Sequence, residues 1–365
     1  MTDKPGAIPR QLLIEMMEAG YISGSTPETA QPSSLDPRIT DEIYRMRGSY
    51  LPKSSETIED IIKHGGLYKH DINRPLEVDA TYIIRLSEHL KLPPGVYASA
   101  NSKSSSGRIN LRTRLLADRT PRFDSIPTGY AGTLWLEVIS KSFPVQLHPG
   151  DRLNQLRFFH GDARLSSFEH RMIYDRYGLL RDRIGNRLIA TEETVSNGIT
   201  MTVDLSSDDI VGWRAHPSAW GVLDTARYDH DPLDFFEPVA RPKTGEITLR
   251  HGSFYILVTK ERIVVPPTLA AEMAAYDPTK GEFRSHYAGF FDPGFGWHDQ
   301  ETQRGFYGVL EVSTHGHDFM LRDGQPICLM VYERLLAKPD VVYGADIGSH
   351  YAAQTGPRLA KWFKT

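Results

Sequence analysis

The chain has almost no cysteine and no long apolar run, and these two shortages exclude much before any motif is considered. The single cysteine, Cys328, cannot close an intramolecular disulfide, and a zinc site built on paired thiolates is ruled out with it. It lies in PICLMVY, residues 326–332, where a lone thiol is expected to be a small buried hydrophobe. Runs of that length fall far short of the ~20 apolar residues that cross a bilayer as a helix, so no membrane association is expected. The first residues carry acidic side chains and lack an apolar centre followed by a small-residue cleavage site. They do not read as a secretory signal, and a cytoplasmic protein is expected. A large excess of one charge is also missing: 42 Lys and Arg stand against 46 Asp and Glu, a net charge of −4. No broad basic surface for nucleic acid is expected, although a local cluster can still hold a small anion. The common phosphate motifs are absent too, with no GxxxxGK[ST] and no GxGxxG after a strand.

What is present points to two β-rich domains. A chain of 365 residues with 40% hydrophobic and 24% charged residues has the length and composition for two globular domains, each with its own core. One helix is expected near the start, in residues 8–19, where Leu12, Leu13, Met16 and Met17 recur at helical spacing before Gly20. Strands dominate afterwards: residues 80–92, 133–140 and 253–265 are rich in β-branched and aromatic side chains and are bounded by Pro-Pro, Pro-Gly or Asp-Gly turn signals.

An internal repeat sets the architecture. Tyr82-Ile83-Ile84 leads through Glu88 to Leu92-Pro93-Pro94, and Tyr255-Ile256-Leu257 leads through Glu261 to Val265-Pro266-Pro267. Leu136-Glu137-Val138 before Leu147 and Gly150 is matched by Leu310-Glu311-Val312 before Leu321 and Gly324, with the offset changed by a single residue. A loop indel accounts for that change. Ser34-Leu35-Asp36 has a weaker echo in Thr202-Val203-Asp204, so the second copy is placed from about residue 195. The expected domains are therefore 1–194 and 195–365, with residues 176–198 as a connector that includes a strand or hairpin. Short period-2 strands and few helices make this an all-β chain of two tandem barrels or jelly rolls.

Four segments carry chemistry-capable residues, and each also has a plain structural reading. QPSSLDPRI (31–39) can be a polar turn entering a strand. SKSSSGR (102–108) can be a flexible loop or an anion cradle, in which small residues and the hydroxyls of Ser104 and Ser105 approach phosphate oxygens while Lys103 and Arg108 supply charge. AGFFDPGFGW (288–297) can be a hairpin tip or a sugar pocket, with Asp292 accepting from a hydroxyl and Phe291 or Phe295 covering a ring face. SHYAAQTGPRLAKWF (349–363) can be a frayed tail or a flap that brings Tyr351, Gln354, Arg358 and Lys361 over a phosphate. Glu137 and Glu311, each flanked by apolar residues, either face solvent on an edge strand or serve as proton-transfer groups with a pKa raised by desolvation.

As an ordered set these segments resemble the dCTP deaminases of the dUTPase superfamily. QPSSLDPRI is similar to the family's first conserved segment, SKSSSGR to its Arg-Ser-Ser-x-x-Arg phosphate segment with Lys103 in place of the first Arg, and LEV to the strand bearing its catalytic glutamate. AGFFDPGFG resembles the deoxyribose hairpin, and HYAAQTGPR the phosphate-closing tail. The resemblance implies zinc-independent hydrolysis of dCTP to dUTP, a glutamate that activates water, a triphosphate accompanied by Mg²⁺, and a homo-oligomer. Each copy departs from the family pattern. The first keeps SKSSSGR but reads DSIPTGYAG (124–132) at the hairpin; the second keeps Asp292-Pro293-Gly294 but reads YDPTKGE (276–282) at the phosphate segment. Such reciprocal loss implies divided roles: phosphates on Ser104, Ser105 and Arg108, sugar and base on Asp292 and Glu311, with Glu311 as the general base and Glu137 as second choice. dUTP diphosphatase activity, alone or combined with deamination, is the nearest alternative. A non-catalytic nucleotide sensor is the alternative of another class.

Overall fold

The computed structural model describes residues 4–65, 67–217, 219, 221–274, 283–286 (backbone only), 289–297, 305–314, 316–344 and 356–364. It divides into two compact units: Met1–Asp162 with Ser218–Phe235 and Ala360–Thr365, and Ala163–Pro217 with Phe236–Leu359. Both are built mainly from antiparallel sheets.

The expected N-terminal helix is present as α1, Arg10–Glu18, with Leu13 and Met16 buried. Gly20 follows at φ 77°, a left-handed turn that lets the chain leave the helix. The first unit's main sheet then uses β1 (Ile39–Met46), β2 (Tyr68–Lys69), β3 (Thr81–Lys91), β5 (Leu111–Ala117) and β6 (Ala131–Ser140), in the order β2-β1-β3-β6-β5. Between β1 and β2 an excursion carries α2 (Ile58–His64), whose capping box pairs Thr57 with Asp60. This excursion covers the sheet: Ile58 clusters with Met46 of β1, Ile83 of β3, Leu116 of β5 and Trp135 of β6. A second sheet pairs β4 (Val96–Ser102) with β7 (Asn154–His160).

The second unit repeats this order. After α4 (Ser167–Tyr177) come β8 (Ile199–Thr202), β9 (Ile210–Ala215), β10 (Phe236–Ala240), β11 (Phe254–Ile263), β12 (Leu269–Ala274), β13 (Phe283–His286), β14 (Phe290–Phe291), β15 (Phe306–Thr314) and β16 (Pro326–Arg334). Its main sheet runs β10-β9-β11-β15-β13 and its second β8-β16-β12-β14. Strands β3 and β11, and β6 and β15, therefore hold the same places in the two copies. One core cluster joins Tyr255, Leu257, Leu310 and Val312 of the first of these sheets to Ile199, Met201, Ala271, Cys328 and Tyr332 of the second. Cys328 is fully buried there, which pushes its thiol well above the usual range.

In the first unit the excursion after β1 stays on its own sheet. Its counterpart after β9, Ser218–Phe235, belongs to the first unit, where Val145 and Gln146 pair with Leu223 and Asp224. The stretch 176–198 contains a short hairpin in which Arg181 bridges Arg187, and Leu180–Arg181 pairs with β11. No helix among the described residues is long and apolar enough to cross a membrane.

Candidate active site

SKSSSGR lies between β4 and β5 and folds into a single helical turn, α3 (Ser104–Gly107), in place of an extended loop. Gly107 and Arg108 donate their N–H groups to the carbonyls of Lys103 and Ser104 at 2.9 and 3.0 Å. The hydroxyls divide by depth. Ser106 is fully buried and donates to the Leu153 carbonyl at 2.9 Å, Ser105 is buried, and Ser104 is exposed. Arg108 is buried at 4% exposure. Lys103 pairs with Asp36 at 2.5 Å, so QPSSLDPRI meets SKSSSGR.

The end of the tail belongs to the same unit. Lys361 is half-buried, and its ammonium pKa is lowered, chiefly by desolvation and next by the charge of Lys103, with Arg152 adding to the effect and Asp151 and Asp36 opposing it. Three cations thus face two carboxylates, an excess that favours an anion. Arg358 is exposed. Tyr351, Gln354 and the segment YDPTKGE lie outside the described residues.

The two glutamates stand in the same register. Glu137 of β6 faces Ile83 of β3 and Arg114 of β5; Glu311 of β15 faces Ile256 of β11 and His286 of β13. Neither lies on an edge strand facing solvent: Glu137 is 1% exposed and Glu311 6%. Glu137 accepts a hydrogen bond on Oε2 from the Ser49 hydroxyl at 2.6 Å, while its buried Oε1 has no hydrogen-bond partner.

The sequence offered no sign of Ser49, because the excursion that carries it has no counterpart motif. It also gave no sign of Asp124. That residue adopts φ 56°, accepts the Leu115 N–H at 2.8 Å, and has its carboxyl pushed up to about 7 by burial, with the Glu137 charge adding to the rise and Arg114 opposing it.

Asp292 opens a turn in which its carbonyl accepts the Phe295 N–H at 3.1 Å. Gly294 has φ 96°, and a Cβ there would meet Val342 at 2.9 Å, so glycine is required. Phe295 is buried, with its ring edge-on to Phe291 and Phe306 at 4.9 and 5.4 Å. Its ring belongs to the core; Phe291 is half-buried. Among the described residues no group of three or more His, Cys, Asp or Glu side chains could hold a metal ion.

Comparison with known proteins agrees with this layout. Residues 4–162 match the family model "2'-deoxycytidine 5'-triphosphate deaminase (DCD) N-terminal domain", and residues 178–363 match the corresponding C-terminal domain model. A "dCTP deaminase, dUMP-forming" of Mycolicibacterium vanbaalenii is 31% identical over 152 residues, 39% of this chain and 75% of that protein. One of Bifidobacterium longum is 29% identical over 158 residues, 40% of this chain and 75% of that protein. The crystal structure of 2'-deoxycytidine 5'-triphosphate deaminase from Agrobacterium tumefaciens superposes with a TM-score of 0.83 at 36% identity, covering 92% of this chain and 99% of that one. The chain, with two such domains in tandem, belongs to the dCTP deaminase family of enzymes.

Proposed function

We propose that the chain hydrolyses dCTP to dUTP and ammonia with a glutamate as the proton shuttle. The carboxylate takes a proton from water, the hydroxide adds to C4 of cytosine, and the protonated carboxyl returns its proton to the amine as ammonia leaves. Water supplies the oxygen of the new C4 carbonyl, and the remaining hydroxyl proton passes to N3. The observation that carries this proposal is the burial of Glu137 and Glu311 at matched positions in a dCTP deaminase-family chain, since burial shields a proton passing between carboxylate and substrate from bulk water.

Of the two, Glu311 is the proposed base, because it stands in the copy that retains Asp292 for the sugar. Lys103, Ser104, Ser105 and Arg108 are assigned to the phosphates, with Tyr351, Gln354, Arg358 and Lys361 of the tail. The cation excess around Lys103 and Lys361 supports that assignment. The donor set near α3 is mostly cationic and fits phosphate oxygens better than a bare metal. A Mg²⁺ would therefore arrive on the triphosphate, neutralising part of its charge. Assembly into a homo-oligomer is part of the same proposal, and light scattering tests it.

A second product is favoured by one specific finding: the M. vanbaalenii and B. longum relatives are named as dUMP-forming. Incubation of the protein with dCTP and Mg²⁺, followed by chromatography of the nucleotides, separates the cases. dUTP supports deamination alone and dUMP the combined reaction. No turnover of dCTP or dUTP would overturn both in favour of a nucleotide sensor.

A further inference from the structure

If Glu311 is the base, Glu137 has no catalytic task, yet its surroundings are those of a ligand site. The inference below rests on that assignment. The carboxylate is 1% exposed, one oxygen is held only by the Ser49 hydroxyl, and the other is buried with no hydrogen-bond partner. A buried acceptor left unsatisfied costs about 1–3 kcal/mol, more for a charged group.

Ser49 is exposed, and it stands in the wall of a cavity of about 580 Å³ between the end of β1 and α2. Met46, Ile61 and Leu67 line this cavity and also pack in the cluster containing Ile83 and Trp135, on the sheet face that bears Glu137. Arg47 and His64 stand in the same lining. Ser49 joins this lining to the Glu137 carboxylate behind it, and a two-oxygen acceptor next to apolar side chains is the complement of a planar ring with two adjacent N–H donors on one edge.

We propose that the first copy's Glu137 site is a second, non-catalytic nucleobase site that takes a guanine-type edge, its paired N–H groups bonding both carboxylate oxygens once Ser49 rotates away. Among neutral nucleobases guanine presents such a pair, at N1 and the 2-amino group; hypoxanthine keeps N1–H and lacks the amine. Arg47, exposed in the lining, would sit beside the sugar or its phosphate.

The test is ligand-observed NMR on the full chain with deoxyguanosine and deoxyinosine, together with dCTP turnover of the same preparations. Deoxyguanosine is expected to bind at least about tenfold more tightly than deoxyinosine, which loses one donor. Glu137→Gln is expected to abolish that preference, and Ser49→Ala to tighten deoxyguanosine by removing the competing hydroxyl.

Equal binding of the two nucleosides to the unmodified protein, or no binding of either, overturns the proposal without any variant, and so without concern for folding. If instead Glu137→Gln abolishes turnover while Glu311→Gln does not, the base assignment fails and this inference fails with it. Turnover lost in Glu311→Gln with no nucleoside preference refutes this inference alone.

Discussion

Glu88 and Glu261 stand at the same break in register of two equivalent strands, and each accepts a backbone N–H at 2.9 Å, from Arg38 in one copy and Thr202 in the other. Alternation keeps both in phase with buried neighbours, Leu86 and Leu90 beside Glu88 and Thr259 and Ile263 beside Glu261, so each carboxyl points into the protein. Burial raises both carboxyls, that of Glu88 to about 7 despite the opposing Arg38 N–H and guanidinium. The folded state therefore binds this proton more tightly than the unfolded chain does.

The stability contributed by protonated Glu88 is fully present below the ordinary carboxyl pKa of 4.5 and is lost as pH rises through about 7. Melting temperatures between pH 4.5 and 8 should fall by the equivalent of up to about 3 kcal/mol from this group. Glu88→Gln keeps an acceptor for the Arg38 N–H and should flatten that fall. An identical pH profile in the variant would mean that Glu88 is ionised without penalty.

Opposite behaviour is expected at the start of α4. Ser166 accepts the Glu169 N–H at 3.3 Å, Glu169 accepts the Ser166 N–H at 2.8 Å, and Arg334 pairs with the same carboxylate. These bonds hold Glu169 down to about 2, with the Ser166 N–H as the largest contributor. Its contribution is present above the ordinary value of 4.5 and disappears as pH falls through about 2. Ser166→Ala should cost about 1 kcal/mol near neutral pH by loss of the cap, measured by urea denaturation. An unchanged midpoint would show that the packing of His170 and Tyr174 alone holds the helix.

The repeat made much of this fold legible. Tyr82 and Tyr255, Glu88 and Glu261, and Glu137 and Glu311 are spaced alike because each pair answers the same packing demand, and the strands expected at 80–92, 133–140 and 253–265 are found at Thr81–Lys91, Ala131–Ser140 and Phe254–Ile263. Helices were harder to read. The signals for α4 are present, a Ser-x-x-Glu box at Ser166 and left-handed Gly178 after Tyr177, but its exposed Phe168 and Met172 obscure the amphipathic pattern. The partners of Glu137 could not be read at all, since Ser49 reaches it from a separate excursion and no local spacing encodes that approach.

Phe295 separates a core role from a sugar-stacking one. Its ring is 6% exposed and packs edge-on against Phe291 and Phe306, so Phe295→Ala should cost about 3–5 kcal/mol of stability. Thermal denaturation measures this. A variant as stable as the parent with a raised KM for dCTP would instead assign the ring to the deoxyribose.

Lys361 should act through binding. Its ammonium is destabilised by burial and by Lys103, and an incoming triphosphate would relieve the second of these. Lys361→Ala is expected to raise KM for dCTP about tenfold with a smaller change in kcat, and the parent's KM should climb at alkaline pH sooner than an ordinary lysine would dictate, because the pKa is lowered. Steady-state kinetics from pH 7 to 10 test both. A fall in kcat at constant KM would place Lys361 away from the phosphates.

Glu311 and Glu137 are equivalent in register and buried alike, so the environment must decide which of them transfers protons. A positioned general base is worth about 10²–10⁴-fold in rate. Glu311→Gln should lower kcat for deamination by that factor while leaving KM for dCTP within about threefold, because the amide fills the same volume and the phosphate groups are untouched. Glu137→Gln should change kcat far less, because Glu137 stands in the copy whose hairpin lacks the Asp-Pro-Gly of Asp292-Pro293-Gly294. Equal losses in both variants would mean that the two copies each complete a working site, and the division of roles between them would have to be abandoned.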